Sequence, residues 1–120
     1  MHVVGDVPHG WLFPQMAAVV HHGGAGTTAA GLRAGLPTVV CPFFADQPLW
    51  GRRVHALGAG PPPIPARRLS AARLAQALTQ AVRDPAMRQR AATLGERLRA
   101  EDGVGQAAEV IERWLDRVRR

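Results

Sequence analysis

The chain has 120 residues, 47% of them hydrophobic and 20% charged, which allows one domain with one core and is typical of a folded rather than a disordered protein. No apolar run approaches the roughly 18 residues of a membrane span, and the first residues lack the layout of a signal peptide. The net charge of +6 does not indicate nucleic-acid binding, because the arginines alternate with acidic residues at helical spacing and no aromatic residues accompany them to stack on bases.

The first half of the chain predicts a βαβ unit. Residues 17–20 form a short apolar run bounded by turn residues, and residues 37–42 form a second run bracketed by prolines. Both are typical of buried strands. Between them lies a helix-length segment from Thr27 to Ala34, which Gly35 ends. A strand, a glycine loop, a helix and a strand in this order indicate a parallel sheet covered by helices.

The single cysteine, Cys41, lies within the second of these apolar runs. We therefore expect it to be a small buried hydrophobic side chain rather than a nucleophile. A lone cysteine also excludes an internal disulfide framework and favours a reducing, cytoplasmic location.

The remaining elements are helical apart from an extended, proline-rich stretch at 61–65. A helix is expected at 49–57, and Ser70 is a good N-cap for the next one. Asp84 followed by a proline predicts a helix that runs to about Ala100. After a break at residues 102–103, the last helix carries an apolar stripe that we interpret as packing surface. Its members are Ala107, Val110, Ile111, Trp114, Leu115 and Val118.

These elements predict an α/β fold, a partial doubly wound (Rossmann-like) parallel sheet with flanking helices. Residues 1–120 form a single domain, in which 1–65 are the βα region and 66–120 are C-terminal helices. Two or three strands are few for so many helices, since a doubly wound domain normally has more. We therefore expect the chain to be the truncated C-terminal part of a larger α/β domain.

The best candidate for a ligand-binding site is a glycine-rich loop, His21-His22-Gly23-Gly24-Ala25-Gly26-Thr27-Thr28. It joins the first predicted strand to a helix, where free backbone N–H groups and the positive end of the helix dipole meet. Glycines allow an anion to approach the backbone, and a histidine or threonine can donate to a phosphate oxygen. The loop is neither a P-loop nor the dinucleotide fingerprint, because the residues that complete those motifs are missing. The alternative is that these glycines and threonines only form the turn between the strand and the helix.

Three blocks in register carry a family resemblance. They are His22-x-Gly24-x-Gly26-Thr27, Gly35-Leu36-Pro37 and Pro42-Phe43-Phe44-Ala45-Asp46-Gln47. Together they resemble the donor-binding signature of the UDP-glycosyltransferase family. The resemblance is strongest to the branch that includes sterol glucosyltransferases and macrolide or glycopeptide glycosyltransferases. It implies the C-terminal, nucleotide-sugar-binding domain of a GT-B fold.

The resemblance also implies roles for individual residues. The donor diphosphate would be held by His22, Gly24, Ala25, Gly26, Thr27 and Thr28. The sugar would be bound by Asp46, Gln47 and Trp50, although Asp46 could also cap the helix that follows it. The nucleobase would lie at Val7 and Pro8. By the same alignment Trp11 is a packing residue and not the base-stacking tryptophan.

Two positions depart from the plant members of the family. Ala30 stands where those enzymes carry a ribose-binding glutamate, and Trp50 stands where they carry an asparagine. Both differences resemble the bacterial and sterol branch.

The resemblance implies an inverting, metal-independent transfer of a hexose from a UDP-glucose-like donor to a hydroxyl of a lipid, sterol or polyketide-like acceptor. No cofactor is expected. The catalytic base of such enzymes belongs to an N-terminal domain, and His2, His9 and His55 match no such motif, so no catalytic residue is assigned. The chain alone is expected to be inactive, and self-association or pairing with an N-terminal domain is expected. The alternative is a non-catalytic nucleotide-sugar-binding fragment or an auxiliary subunit that completes a partner.

Overall fold

The structure is a computed structural model that describes all residues, 1–120. It contains two strands and six α-helices, in the order α1 (His9–Leu12), β1 (Val19–His21), α2 (Ala25–Arg33), β2 (Thr38–Val40), α3 (Gln47–Ala56), α4 (Ala71–Arg83), α5 (Pro85–Ala100) and α6 (Gly103–Val118). Short 3-10 turns occupy Phe13–Gln15 and Ala66–Arg68. None of the helices has both the length and the apolar character needed to cross a membrane.

The two strands are parallel, as the predicted βαβ unit requires. Val19 lies opposite Thr38 and His21 lies opposite Val40. All three residues of β2 are buried, whereas Val20 of β1 is 42% exposed. Burial on both faces is typical of an interior parallel strand, so β2 lies inside the fold and β1 forms an outer edge.

The proline-rich stretch lies along the other edge of β2. The Thr38 N–H donates to the Ala59 carbonyl at 2.9 Å, and the Ile64 N–H donates to the Val40 carbonyl at 2.9 Å. Prolines lack the N–H that a continuous ladder needs. The stretch therefore covers the edge of β2 without becoming a regular third strand.

Helices cover both faces of β2. On one face, Val39 and the buried Cys41 pack in a cluster with Ile64, Ala77, Ala81 and Met87. On the other face, Val40 packs with Val54, Ala59 and Ala91. A third cluster of Phe13, Val19 and Leu36 joins the first turns of the chain to β1. The predicted α/β architecture with helices on both sides of a parallel sheet is thereby confirmed, as is the burial of Cys41.

The predicted helix starts in the second half of the chain are confirmed by their caps. The Ser70 hydroxyl accepts from the Arg73 N–H at 3.2 Å, and the Asp84 carboxylate accepts from the N–H groups of Ala86 and Met87. In the first half, α2 and α3 each begin two residues earlier than predicted, because their first turns are set by contacts with the neighbouring loop and not by a side-chain cap.

The apolar stripe of α6 does not pack within this chain, which corrects the interpretation of it as packing surface. No residue of α6 is buried, and Trp114 is 60% exposed. The helix period predicted which side chains share a face, but it could not show that none of the other elements lies opposite that face.

Gly60 marks the closest approach between β2 and the segment beside it. A Cβ at this position would collide with the Thr38 carbonyl oxygen and lie 2.9 Å from a Val54 methyl group. The clash involves backbone that is fixed by the sheet, so a flexible side chain cannot relieve it. Only glycine fits here.

We predict that Gly60→Ala lowers the free energy of unfolding by about 1–3 kcal/mol through overpacking. The matched control is Gly5→Ala, because a Cβ at Gly5 would meet nothing within 4 Å. Urea unfolding followed by circular dichroism measures both variants. Equal stability of the two variants would contradict the close packing described for Gly60.

Candidate functional site

Both strands end at the same edge of the sheet. The Cys41 N–H donates to the His21 carbonyl at 2.8 Å, one residue beyond the last paired position. The loop at 22–24 and the loop at 41–46 therefore leave the sheet side by side. In open parallel sheets, ligands bind in the crevice beyond these carboxyl ends.

Gly23 brings the two loops into direct contact. It has a positive φ of +94°, and a Cβ here would lie 2.8 Å from Val40 Cγ1 and 2.9 Å from the Gln47 carbonyl oxygen. The glycine loop thus packs on the backbone of the first turn of α3. The structure thereby brings together the predicted diphosphate and sugar segments, although Thr28, the last residue of the first, and Asp46, the first of the second, are 18 positions apart in sequence.

The glycine loop presents hydrogen-bond donors to solvent. Gly24 is the N-cap of α2 without any side-chain cap bond, and the N–H groups of Ala25, Gly26 and Thr27 donate to no backbone acceptor. The His22 ring lies over this turn, because a Cβ at Gly24 would be 2.7 Å from His22 Nε2. His22, Ala25 and Gly26 are exposed. Free N–H groups at the positive end of a helix, beside an imidazole, form an anion-binding surface.

The two threonines of the loop differ in accessibility. Thr27 is half-buried, whereas Thr28 is 2% exposed, and its hydroxyl has no hydrogen-bond partner. The Thr28 N–H donates to the Gly24 carbonyl at 2.9 Å. The Thr28 hydroxyl is thus buried with its hydrogen-bonding capacity unused, and its contact with a phosphate stays a prediction.

His21 is a residue of the site that the sequence did not single out. Its Nδ1 accepts from the Gly23 N–H at 2.9 Å, and its Nε2 is buried without a partner. Burial, and to a lesser degree the neighbouring His22 and His9, lower the pKa of His21 to about 4. The ring is therefore neutral at neutral pH. The only signal in the sequence was its position at the end of a buried strand, directly before the loop.

Asp46 and Trp50 form a pair at the start of α3, next to the second loop. The Trp50 Nε1–H donates to Asp46 Oδ2 at 2.9 Å, from one turn further along α3. Asp46 occupies the N-cap position, but its side chain makes no capping bond. The alternative role of Asp46 as a helix cap is therefore wrong, because the carboxylate is turned outward to the indole.

Gln47 supports the second loop from inside. Its side chain is buried, and Oε1 accepts from the N–H groups of Phe43 at 2.9 Å and Phe44 at 3.1 Å. The loop is tight at this point, since Ala45 adopts a φ of +56°, a left-handed conformation that is unfavourable for any residue with a Cβ. Gln47 thus fixes the loop, and only its Nε2 amide lacks a partner within the chain.

The predicted nucleobase segment directly precedes α1. Val7 is half-buried and Pro8 is exposed, and the Pro8 carbonyl accepts from the N–H groups of Trp11 and Leu12 at the start of α1. His9, the next residue, is close enough to His21 to contribute to its lowered pKa. The expectation that Trp11 packs is wrong, because its side chain is 63% exposed. The short helix turns the indole outward.

We predict that Gln47→Leu lowers the free energy of unfolding by about 1–3 kcal/mol, because two loop N–H groups lose their acceptor. The matched variant Gln47→Glu keeps an oxygen acceptor at this position and should retain most of the stability. Urea unfolding of both variants provides the measurement. If the leucine variant were as stable as the glutamate variant, the bonds to Phe43 and Phe44 would not hold the loop.

A family model matches the chain. Residues 1–115 match the model described as "Erythromycin biosynthesis protein CIII-like, C-terminal domain". The match covers nearly the whole chain and includes both loops of the crevice.

Curated relatives show the same relationship. The chain is 49% identical over 115 residues to sterol 3-beta-glucosyltransferase UGT80A2 of Arabidopsis thaliana, covering 96% of this chain and 18% of that protein. It is 47% identical over 113 residues to O-mycaminosyltylonolide 6-deoxyallosyltransferase of Streptomyces fradiae, covering 94% of this chain and 27% of that protein. The chain thus spans a fifth to a quarter of the length of these relatives.

Solved structures agree. The glycotransferase of kitacinnamycin superposes with a TM-score of 0.82 at 36% identity, covering 90% of this chain and 28% of that one. The glycosyltransferase VinC in complex with DTDP superposes with a TM-score of 0.76 at 29% identity, covering 92% and 29%. The chain therefore belongs to the erythromycin biosynthesis protein CIII-like C-terminal domain family, the C-terminal domains of UDP-glycosyltransferases of the GT-B fold.

Proposed function

We propose that this chain is the donor-binding portion of an inverting, metal-independent glycosyltransferase. The reaction would move a hexose from a UDP-glucose-like donor to a hydroxyl of a lipid, sterol or polyketide-like acceptor. The observation that carries this proposal is the meeting of the two strand-end loops. Unpaired N–H groups of α2 and the exposed His22 belong to the first loop, and the Asp46–Trp50 pair belongs to the second loop and the helix that follows it.

The diphosphate is the group best matched by the glycine loop. When the bond between the anomeric carbon and the diphosphate oxygen breaks, negative charge develops on the leaving phosphate. Fixed N–H groups, the positive end of α2 and a donated imidazole N–H from His22 stabilise that charge without reorganisation. These groups supply the electrostatic stabilisation that a divalent cation provides in other transferases, which supports a metal-independent reaction.

The sugar would lie against the opposite loop. Asp46 has one carboxylate oxygen, Oδ1, that the Trp50 indole does not use, and the Gln47 Nε2 amide remains a donor. A carboxylate acceptor next to an amide donor suits the hydroxyl groups of a hexose. The Trp50 bond holds the Asp46 side chain in one orientation, so that Trp50 acts on the sugar through Asp46.

The nucleobase would occupy the segment at Val7 and Pro8. One solved relative is in complex with DTDP. Uridine and thymidine nucleotides are therefore both candidates, and their affinities for this chain can be compared directly. We propose that UDP is the better ligand, because the motifs resemble the branch of the family that contains the sterol glucosyltransferases.

The acceptor and the catalytic base are proposed to belong to an N-terminal domain that pairs with this one. His2 and His55 do not lie in the crevice segments, and His9 stacks on Phe13 with ring centroids 4.4 Å apart. None of these rings is proposed as the catalytic base. We propose that the protein works in the cytoplasm, where nucleotide sugars are available and where its single thiol stays reduced.

We predict that UDP binds this chain more tightly than inorganic phosphate, and that His22→Ala weakens UDP binding by about 1–3 kcal/mol, the range for a hydrogen bond to a charged group. Titration calorimetry with UDP, dTDP and phosphate measures this difference, with and without magnesium. The control is His55→Ala, since the His55 ring bonds the Gly60 carbonyl at the other end of α3. An unchanged UDP affinity in His22→Ala, or strict dependence on magnesium, would contradict the proposed site.

We predict that the chain alone transfers no glucose from UDP-glucose to a sterol, and that adding a matching N-terminal domain in trans restores turnover. This outcome follows if the acceptor pocket and the base lie on that domain. A coupled assay for UDP release, with chromatography of the glycoside, checks both parts. Turnover by the isolated chain would overturn the division of labour proposed here. UDP binding without turnover under any pairing would favour the second candidate, a non-catalytic binding module.

A further inference from the structure

His21 is held in one chemical form by its neighbours. It is the last residue of β1, and its Nδ1 accepts from the Gly23 N–H at 2.9 Å. An imidazole nitrogen that accepts a hydrogen bond carries no proton, so a neutral ring must carry its proton on Nε2. Burial lowers the pKa of His21 to about 4, and the neutral ring therefore persists throughout the physiological range.

Gly23 depends on this bond. It is buried, and the bond to His21 is the only hydrogen bond that its N–H donates. A buried N–H that loses its partner is unfavourable. Its left-handed conformation is also what turns the chain sharply after β1, against the Gln47 backbone. The turn at Gly23 sets where His22 and the first residues of α2 lie.

The second ring nitrogen is unusual as well. The structure leaves two buried side-chain polar atoms without a hydrogen-bond partner, His21 Nε2 and Thr28 Oγ1. Both belong to the strand–loop–helix unit that carries the proposed diphosphate site. Buried polar groups are normally satisfied, so a pair that is not calls for a physical explanation. Packing alone would favour an apolar side chain at position 21.

We infer that His21 is a positioning residue of the donor site: as the Nε2–H tautomer it fixes the turn at Gly23, and through that turn it places His22 and the free N–H groups of α2 for the diphosphate. His21 itself does not touch the donor. The inference rests on the proposed function of the loop, and it adds a requirement for an acceptor atom at the position of Nδ1.

Two substitutions separate this role from packing. In His21→Asn, Oδ1 takes the place of Nδ1 and accepts the Gly23 N–H, whereas His21→Leu fills similar space without an acceptor. We expect the asparagine variant to bind UDP within about twofold of the unsubstituted chain. The leucine variant should bind about fivefold to tenfold more weakly, the equivalent of one hydrogen bond. The control is His55→Leu, which removes a histidine with a backbone partner outside the site and should leave UDP affinity unchanged.

Nuclear magnetic resonance of the unliganded chain gives a second test that needs no ligand. Nitrogen chemical shifts of His21 should report the Nε2–H tautomer, and the Gly23 amide should resist hydrogen exchange in the unsubstituted and asparagine proteins but not in the leucine variant. An Nδ1–H tautomer would overturn the inference, as would equal UDP affinity of the asparagine and leucine variants. If the unsubstituted chain binds no UDP, the proposed function fails, while the tautomer and the Gly23 amide still decide whether His21 holds the loop.

Discussion

The hydrogen bond from the Cys41 N–H to the His21 carbonyl is the constraint on which the site depends. It carries the parallel pairing to the last residue of β1, so that two loops distant in sequence begin at the same level. A shift of one residue in register would turn every side chain of the shifted strand to the other face of the sheet. The burial of β2 on both faces and the cover provided by the proline-rich stretch keep this register fixed.

The same edge explains why small residues crowd the crevice. Gly23 and Gly24 lie against the Gln47 backbone and the His22 ring, respectively. A Cβ at Gly23 would push apart the two loops that we assign to phosphate and to sugar, and a Cβ at Gly24 would displace the His22 ring. Gln47 and Ala45 show the complementary arrangement, in which a buried amide holds a strained turn in place. Strain of this kind persists where the surrounding bonds over-determine the backbone.

Local rules were sufficient for much of the fold. Apolar runs bounded by turn residues or prolines predicted both strands, and Ser70 and Asp84 predicted the starts of two helices, since these signals act within a few residues. Predictions from the sequence failed where the exposure of a side chain depends on elements that are distant in sequence. The stripe of α6 and the side chain of Trp11 are apolar, but their exposure is decided by what lies opposite. The role of His21 could not be predicted from the sequence either, because its hydrogen bond depends on the left-handed turn at Gly23 that follows it.

The contact between Gly23 and Gln47 has an energetic consequence. Since the two loops share backbone packing, neither can relax without displacing the other, and they form one cooperative unit. Substitutions in one loop should therefore not be additive with substitutions in the other, as is usual for residues in contact. A double-mutant cycle with one substitution in each loop would measure this coupling energy. Binding of the sugar should likewise affect the diphosphate loop through the shared backbone packing as well as through the donor molecule itself.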